Sequence, residues 1–170
     1  MRIEDIMCKQ VETCRCEDTL AQAAAKMWEH DIGALPVLGP DGRVTSVITD
    51  RDIAMDAYIK GKKLGDLIVA EAMSRRLVTV QPADELRVAE DRMQSEQVHR
   101  IPVVDARGFL KGIVTINDLA HHLQTARTAE GAEPAKVAGT LAAISKPRSV
   151  PVSSVRSPEG ERAGAGRGEA

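Results

Sequence analysis

Apolar positions recur along this chain with two different spacings, and each spacing predicts its own kind of element. Val44–Thr49 and Leu110–Thr115 are rich in apolar and β-branched residues, a composition typical of strands that are buried in a sheet. In another segment, Leu86, Ala89 and Met93 follow one another at intervals of three and four residues, which places them on one face of a helix. The pattern therefore predicts buried strands and amphipathic helices in one fold.

The same pattern occurs twice, and the two copies are 66 residues apart. Ser46–Asp52 and Gly112–Asp118 both consist of a small residue, two β-formers, a threonine, two variable positions and an aspartate. The correspondence continues without a gap from Met7 to Ala54 of the first copy. Matched identical pairs include Met7 and Met73, Thr13 and Thr79, Leu20 and Leu86, Met27 and Met93, and Gly42 and Gly108. The chain therefore contains an internal duplication.

The residue pattern of each copy predicts a short helical lead-in followed by the element order β-α-β-β-α. Asp84 is expected to cap the first helix of the second copy or to lie in its first turn. In the first copy the predicted elements are Arg2–Met7, Val11–Cys14, a helix with the stripe Leu20, Ala23, Ala24 and Met27, then Ala34–Leu38, Val44–Thr49 and a helix from Thr49 to about Lys60. In the second copy they are Val69–Met73, Leu77–Val80, a helix with the stripe Leu86, Ala89 and Met93, then Arg100–Val104, Leu110–Thr115 and a helix from Thr115 to about Gln124.

Length sets the expected organisation of the 170-residue chain. A repeat of about 60 residues has a marginal core when alone, so the two copies are expected to fold against each other. The predicted units are repeat one at 1–66 and repeat two at 67–125, in an α/β (α+β) fold with pseudo-twofold symmetry. Residues 126–170 are rich in Ala, Gly, Ser, Pro and charge, which predicts a mostly disordered tail with a short helix at 136–145.

Composition excludes several classes of function. The net charge is −2 with both signs interspersed, so nucleic acid is not an expected partner. No apolar run approaches the length of a membrane span and the start lacks a signal-peptide core, so we expect a cytoplasmic protein with no membrane partner. The three cysteines lie within Cys8–Cys16 and do not form a disulfide framework. The only aromatic residues are Trp28, Tyr58 and Phe109, so aliphatic side chains and backbone would have to hold any bound ring.

The Thr-x-x-Asp ends of the two copies have two interpretations. As a helix cap, Thr49 and Thr115 accept a hydrogen bond from the N3 amide, while Asp52 and Asp118 accept one from the amide of the cap residue. As a binding site, the same helix starts attract anions, and the aspartates are placed to accept hydrogen bonds from ribose hydroxyls.

The duplication, the element order, the Leu35–Val37 and Ile101–Val103 strands and the Thr-x-x-Asp ends together resemble the tandem CBS-domain pair, or Bateman module. The resemblance covers Ile3 to about Leu123 and is nearest to small stand-alone bacterial pairs, including hypoxia-response types, which carry no catalytic domain. It implies a homodimer of pairs and two clefts per pair that often bind AMP, ADP, ATP or S-adenosylmethionine. No cofactor is required under this interpretation.

The resemblance also implies roles for individual residues. Asp52 and Asp118 match the ribose-binding acids of the family, and Thr49 and Thr115 match its hydroxyl positions. The remaining candidate ligand-binding residues are basic: His99 and Arg100 of the second copy, and Arg51 of the first.

Arg100 is the better phosphate ligand of the basic pair, because it is charged at any working pH and can donate two hydrogen bonds. The first copy has Gly33 and Ala34 at the matching positions, and Arg51 is either a substitute or a solvated residue of the helix surface. Ser46 replaces the glycine expected there and is predicted to narrow the approach of a ligand. At most one good site is therefore expected.

No catalytic set is recognisable, so the sequence does not predict an enzyme. Cys14 and Cys16 would face the same side of an extended segment and are weak candidates for a zinc site, although reduced, partly exposed thiols are the simpler interpretation.

Two hypotheses follow. The first is a regulatory module that binds an adenosine ligand and signals to a separate effector protein. The alternative is a ligand-free, stress-related structural or interaction protein, linked to metal or redox chemistry through Cys8, Cys14 and Cys16. An Asp118→Ala variant is expected to separate them.

Overall fold

The computed structural model describes residues 1–126 and residue 139. Predictions for the tail, including its disorder and the helix at 136–145, lie outside these residues, apart from the isolated residue 139. None of the helices in the described part is long and apolar enough to cross a membrane.

Ten helices and strands make up the two repeats in the described residues. They are β1 (Cys14–Arg15), α1 (Leu20–Glu29), β2 (Ala34–Leu38), β3 (Val44–Thr49), α2 (Asp50–Lys60), α3 (Val69–Ala72), α4 (Leu86–Glu96), β4 (Arg100–Val104), β5 (Leu110–Thr115) and α5 (Ile116–Ala126). Short 3-10 turns at Ile3–Asp5 and Leu64–Asp66 precede the repeats' main elements. The predicted helices and buried strands are confirmed, and the lead-ins are shorter than predicted.

The strands form one sheet in each repeat. In the first repeat, β1 pairs parallel with β2, and β2 pairs antiparallel with β3. In the second, β4 and β5 form an antiparallel pair. Ala34 lies opposite Thr49 and Arg100 lies opposite Thr115, so the two hairpins have the same register 66 residues apart. These recurring contacts confirm the predicted α/β class and the duplicated architecture.

The first strand of each repeat is shorter than predicted. Of Val11–Cys14 only the last residue is in β1, and of Leu77–Val80 only Val80 forms a bridge, parallel to Val103. The register of β1 starts opposite Val37, so one residue further back its partner would be Pro36. Proline has no N–H to donate, so the ladder cannot continue past it. Pro102 occupies the equivalent place in the second repeat.

Asp84 neither caps α4 nor lies in its first turn, contrary to both predictions for it. The helix begins after Glu85, and no side chain caps it. The Asp84 carboxylate instead accepts a hydrogen bond of 2.8 Å from the amide of Gln81 and closes the preceding turn. Asp18 makes the same contact with Arg15 in the first repeat.

Each repeat has its own buried core, but the lead-ins are exchanged between them. Ile3, from the start of the chain, is fully buried in the core of the second repeat. Leu67 and Val69, from the start of the second repeat, are buried in the core of the first. The two cores therefore interlock, as expected for repeats that are too small to fold alone.

Backbone hydrogen bonds fix this exchange. Cys8 forms a two-way pair with Ile113 of β5, with both N–O distances at 2.9 Å. In the symmetric position, the amide of Ser74 donates to the carbonyl of Val47 in β3 at 3.0 Å. The same strand position is thus covered in each repeat by the other repeat's lead-in.

Candidate functional site

Both Thr-x-x-Asp segments form complete capping boxes at the starts of α2 and α5. The Asp52 amide donates to Thr49 Oγ1 at 3.2 Å, and Asp52 Oδ2 accepts from the Thr49 amide at 2.9 Å. At the second site the matching distances for Asp118 and Thr115 are 3.3 Å and 2.7 Å. The predicted caps are confirmed, and they hold all four side chains in place, half-buried at the helix starts.

One oxygen of each capping carboxylate remains available. In Asp52 and in Asp118, both the amide and the hydroxyl of the cap threonine bind Oδ2, at distances between 2.7 and 2.9 Å. The cap contacts of both carboxylates therefore use Oδ2, and Oδ1 takes no part in them. Each carboxylate is therefore fixed through one oxygen and can accept hydrogen bonds through the other.

Arg100 links the second repeat to the helix start of the first. Its backbone belongs to β4 and lies opposite Thr115 of β5. Its side chain extends to the first repeat, where Nη1 lies 3.5 Å from the carbonyl oxygen of Gly33. The same carbonyl accepts from the amide of Asp50, the first residue of α2, at 3.3 Å. A cation from the second repeat therefore stands beside the capping box of Thr49, although sequence position had grouped it with the second copy.

Gly33 leaves space at this junction. A Cβ atom at this position would lie 3.1 Å from Asp50 Oδ2 and 3.3 Å from Arg100 Nη2. Both distances are shorter than ordinary van der Waals contact. The absence of a side chain therefore lets the carboxylate of Asp50 and the guanidinium of Arg100 approach the same corner from opposite repeats.

The other basic candidates are less closely held. Arg51 and His99 are both exposed. The Arg51 amide donates to Asp50 Oδ1 at 2.7 Å, and the His99 carbonyl accepts from the amide of Ile116 at the start of α5. Their backbones therefore shape the two helix starts.

Ser46 does not narrow a cleft as predicted. The residue is buried, and its Oγ donates to the carbonyl of Ser74 at 2.5 Å. Its equivalent, Gly112, packs so closely that a Cβ atom would lie 2.7 Å from the carbonyl oxygen of Cys8. Both small residues therefore serve the packing of the exchanged lead-ins.

A groove of about 730 Å³ runs between α1 and α2 and reaches the Arg100 corner. Its walls are largely apolar and include Met27, Trp28, Ile53 and Ala57. The sequence stripe of α1 predicted core packing and gave no sign of the groove. The signal that was available is Trp28, a large aromatic residue that directly follows the buried stripe position Met27.

The three cysteines differ in burial: Cys14 is buried, Cys16 is half-buried and Cys8 is exposed. Burial, with a smaller contribution from the negative charge of Asp18, raises the pKa of the Cys14 thiol to about 12. Cys16 Sγ instead lies 3.7 Å from both the Leu38 carbonyl and Thr45 Oγ1. No cluster of three or more His, Cys, Asp or Glu residues that could hold a metal occurs in the described part of the chain.

Comparison with known proteins identifies the fold and its relatives. The model of the CBS domain family matches residues 3–56 and 69–125. The CBS domain-containing protein YhcV of Bacillus subtilis (strain 168) is 37% identical over 118 residues, which are 69% of this chain and 82% of that protein.

Two crystal structures extend the comparison. Hypoxic Response Protein I, solved with two coordinated zinc ions, is 34% identical with a TM-score of 0.66, covering 72% of this chain and 98% of that one. The CBS domain pair of MJ0100, in complex with 5'-methylthioadenosine and S-adenosyl-L-methionine, is 26% identical with a TM-score of 0.66, covering 74% and 97%. The chain belongs to the CBS domain family and is a tandem CBS-domain pair, related to the stand-alone proteins YhcV and Hypoxic Response Protein I.

Proposed function

We propose that this CBS pair is a regulatory module that binds an adenosine-type ligand at the start of α2. The observation that carries the proposal is the meeting of Arg100 with the first repeat's capping box across Gly33. A ligand there would touch both repeats at once, so its binding energy would depend on how the repeats are packed. A ligand that prefers one packing shifts the population toward it. The ligand complexes of the similar MJ0100 pair support this class of ligand.

The ribose end of the ligand is assigned to Asp52. Its Oδ2 is held by Thr49, and its Oδ1 can accept from two adjacent hydroxyl groups. Because the carboxylate is already fixed, little side-chain entropy is lost when the ribose binds. Thr49 thus contributes by positioning the carboxylate, and its role as a direct ligand is secondary.

The anionic end of the ligand is assigned to Arg100. The guanidinium offers paired donors, and the positive end of the α2 dipole adds to its attraction for an anion. The Asp50 carboxylate faces the same corner and opposes a high negative charge. The site therefore favours AMP or S-adenosylmethionine over ADP and ATP, because each added phosphate increases the repulsion from Asp50.

The helix start of α5 is the weaker of the two sites. The position that matches Arg100 in the first repeat is Ala34, which brings no cation to Thr115 and Asp118. Asp118 can also accept through Oδ1, but Ala34 offers no charge to a phosphate or carboxylate group at this helix start. One good site per chain is the expected stoichiometry.

The matched aspartates make the decisive experiment possible. Thermal unfolding and calorimetric titration with AMP, ADP, ATP and S-adenosylmethionine would be compared for the wild type, Asp52→Ala and Asp118→Ala. Both variants lose the same capping contact, at a cost of about 1 kcal/mol, so the stability losses cancel in the comparison. At 100 times its dissociation constant a ligand stabilises the wild type by about 2.7 kcal/mol.

We expect ligand stabilisation to disappear in Asp52→Ala and in Arg100→Gln and to remain in Asp118→Ala. The opposite result, with Asp118→Ala losing the ligand and Asp52→Ala keeping it, would move the site to α5. Because the recognised CBS domains are regulatory, we expect the module to act as a homodimer and to pass its signal to a separate effector protein.

A second candidate function is a ligand-free interaction protein. The complete capping boxes favour it, because they account for Thr49, Asp52, Thr115 and Asp118 without any ligand. Under this alternative no adenosine compound changes the unfolding temperature of the wild type, and both aspartate variants lose only the capping contribution.

A further inference from the structure

The turns of the two β-hairpins lie at the end of the strands away from the capping boxes. In the first hairpin, Leu38 pairs with Val44 beside the turn, whereas Ala34 pairs with Thr49 at the opposite end. Four residues of extended strand separate these ends by about 13 Å. The second hairpin has the same register, so its turn also lies away from its capping box. A surface at the turns is therefore separate from the proposed ligand site.

Contacts between the repeats join the two turns. The amide of Val44 donates a hydrogen bond to the carbonyl of Gly108 at 3.0 Å. A Cβ atom on Gly42 would lie 3.8 Å from Cε1 of Phe109, and one on Gly108 would lie 3.5 Å from Cδ of Arg43. Gly42 matches Gly108 in the duplication, and Arg43 matches Phe109. Each turn therefore packs the residue after its glycine against the glycine of the other turn.

Two arginines, one from each repeat, lie beside the Phe109 ring. The guanidinium carbons of Arg107 and Arg43 lie 5.2 Å and 6.0 Å from the ring centre, distances at which a cation is attracted to an aromatic ring. We call Arg43, Arg107 and Phe109 the turn cluster. The ring is half-buried, whereas both arginines are exposed. The turn cluster thus combines an anchored ring with two cations that are open to solvent.

The acidic residues of the two turns are bound within their own turns. Asp105 Oδ1 accepts from the amides of Arg107 and Phe109, each at 2.9 Å, and its Oδ2 lies 3.3 Å from Nζ of Lys111. Asp41 Oδ2 lies 3.5 Å from Nε of Arg43. Because that ion pair uses Nε, the two terminal NH2 groups of Arg43 take no part in it.

We propose that the turn cluster is a docking surface for an acidic segment of the effector protein, whose carboxylates pair with Arg43 and Arg107. A guanidinium offers two parallel donors that match the two oxygens of a carboxylate. Contact with Phe109 limits the conformations of both arginines, so less side-chain entropy is lost when a carboxylate binds. The inference rests on the separate effector of the proposed function and adds the place and the chemistry of its contact.

The arrangement of charges favours a protein segment over nucleic acid. Asp41 and Asp105 belong to the same turns as the two arginines, so acids and bases alternate on this surface. A nucleic-acid backbone has closely spaced phosphates, and some of them would face these carboxylates. A peptide can space its acidic side chains so that they meet only the cations. The surface therefore matches a segment with separated Asp or Glu residues.

The position of the turn cluster relates it to the proposed ligand site. Each repeat supplies one arginine, so the distance between the two guanidinium groups depends on how the repeats pack. The contact of Arg100 with Gly33 depends on the same packing at the other end of the hairpins. A ligand that selects one packing would therefore change the spacing of the cations that the effector contacts.

The first test uses a peptide of alternating Glu and Gly residues as the probe. It would be titrated into the isotope-labelled full chain, and the dissociation constant would be obtained from the NMR shifts of backbone amides. We expect the shifted amides to lie in the turns at 39–43 and 105–111. A rise in salt from about 0.01 M to about 0.1 M should weaken binding severalfold, because it shortens the screening length.

The second test compares arginines in similar ion pairs. Arg43→Gln and Arg107→Gln should each raise the dissociation constant of the peptide about fivefold, the upper range for one exposed ion pair. The matched control is Arg87→Gln, which removes the same charge from an exposed pair with Glu85 at 2.9 Å. This control should change the constant less than twofold. Circular dichroism of the three variants should show that each retains the fold.

Several results would overturn the proposal. They are absence of peptide binding, shifts spread over the whole surface, equal losses in Arg43→Gln and Arg87→Gln, and equally tight binding of a short single-stranded DNA at the turns.

Failure of the ligand site would give a different pattern. If the peptide binds the turns and no adenosine compound stabilises the chain, the docking surface is supported and the ligand site is contradicted. If AMP or S-adenosylmethionine binds and the peptide does not, the ligand site is supported and the docking surface is contradicted.

Discussion

A single carboxylate, that of Asp52, shows how one residue can serve both the fold and a ligand. Its Oδ2 completes the helix cap with Thr49, and its Oδ1 takes no part in that cap. The capping interpretation and the binding interpretation of the Thr-x-x-Asp segment are therefore compatible, because they use different atoms. Stability measurements alone cannot separate them, whereas a comparison between Asp52 and Asp118 can.

Cys14 predicts a pH dependence at the residue scale. Its pKa is raised from 9.0 to about 12, mainly by burial, so the folded chain keeps this proton while the unfolded chain loses it. The unfolded state then binds fewer protons, and the free energy of unfolding falls as pH rises between about 9 and about 12. Urea unfolding at several pH values should show this fall in the wild type and a smaller one in Cys14→Ala. Parallel curves for the two proteins would contradict it.

The capping boxes connect the strands to the helices at the scale of elements. In each repeat a buried strand ends in the threonine that caps the next helix, so β3 passes directly into α2 and β5 into α5. A substitution at the cap therefore destabilises the junction between strand and helix. In the first repeat this junction includes the helix start where the ligand is proposed to bind.

Thr49→Ala and Thr115→Ala should each lower the free energy of unfolding by about 1 kcal/mol, because each removes one capping acceptor. Thr49→Ser and Thr115→Ser should retain most of the stability, since the hydroxyl remains. Urea denaturation of the four variants would measure this. Equal losses in the serine and alanine variants would mean that the methyl group of threonine, rather than its oxygen, carries the effect.

Much of the fold could be predicted from sequence because its signals are local and occur twice. The apolar runs of β3 and β5 and the Thr-x-x-Asp caps depend on neighbouring residues, and the duplication confirms each of them by a second example. The length of β1 depends on its partner strand, where Pro36 ends the ladder, so its own residues could not define it. The reach of Arg100 into the first repeat depends on how the two repeats pack, which no local pattern contains.

At the scale of the whole molecule, the exchanged lead-ins make the two repeats one cooperative unit. Each core is closed by a segment that belongs, in chain order, to the other repeat. Loss of packing in one lead-in should therefore destabilise the core of the other repeat. The ligand site proposed at the Arg100 corner lies on this shared boundary.

Ile3→Ala should test this cooperation. Deletion of a buried Ile side chain costs about 2–5 kcal/mol, and the loss should fall on the core of the second repeat. Native-state hydrogen exchange should show faster exchange in β4 and β5 than in β2 and β3. The equivalent variant, Val69→Ala, should reverse this order, and exposed Glu4→Ala should change neither. If Ile3→Ala increased hydrogen exchange only in the first repeat, that result would contradict the swapped arrangement of the lead-ins.

The exchange of lead-ins also bears on how such a chain can arise. An ancestral gene with a single repeat would encode one lead-in. Two identical protein products could then complete each other's cores by exchanging their lead-ins. Such a product would be an obligate pair before any fusion. Joining the two reading frames would then add no new contact and would convert a concentration-dependent encounter into an intramolecular one. After fusion, the two halves would be free to diverge, one keeping aromatic groups on its outer face and the other an arginine for its neighbour.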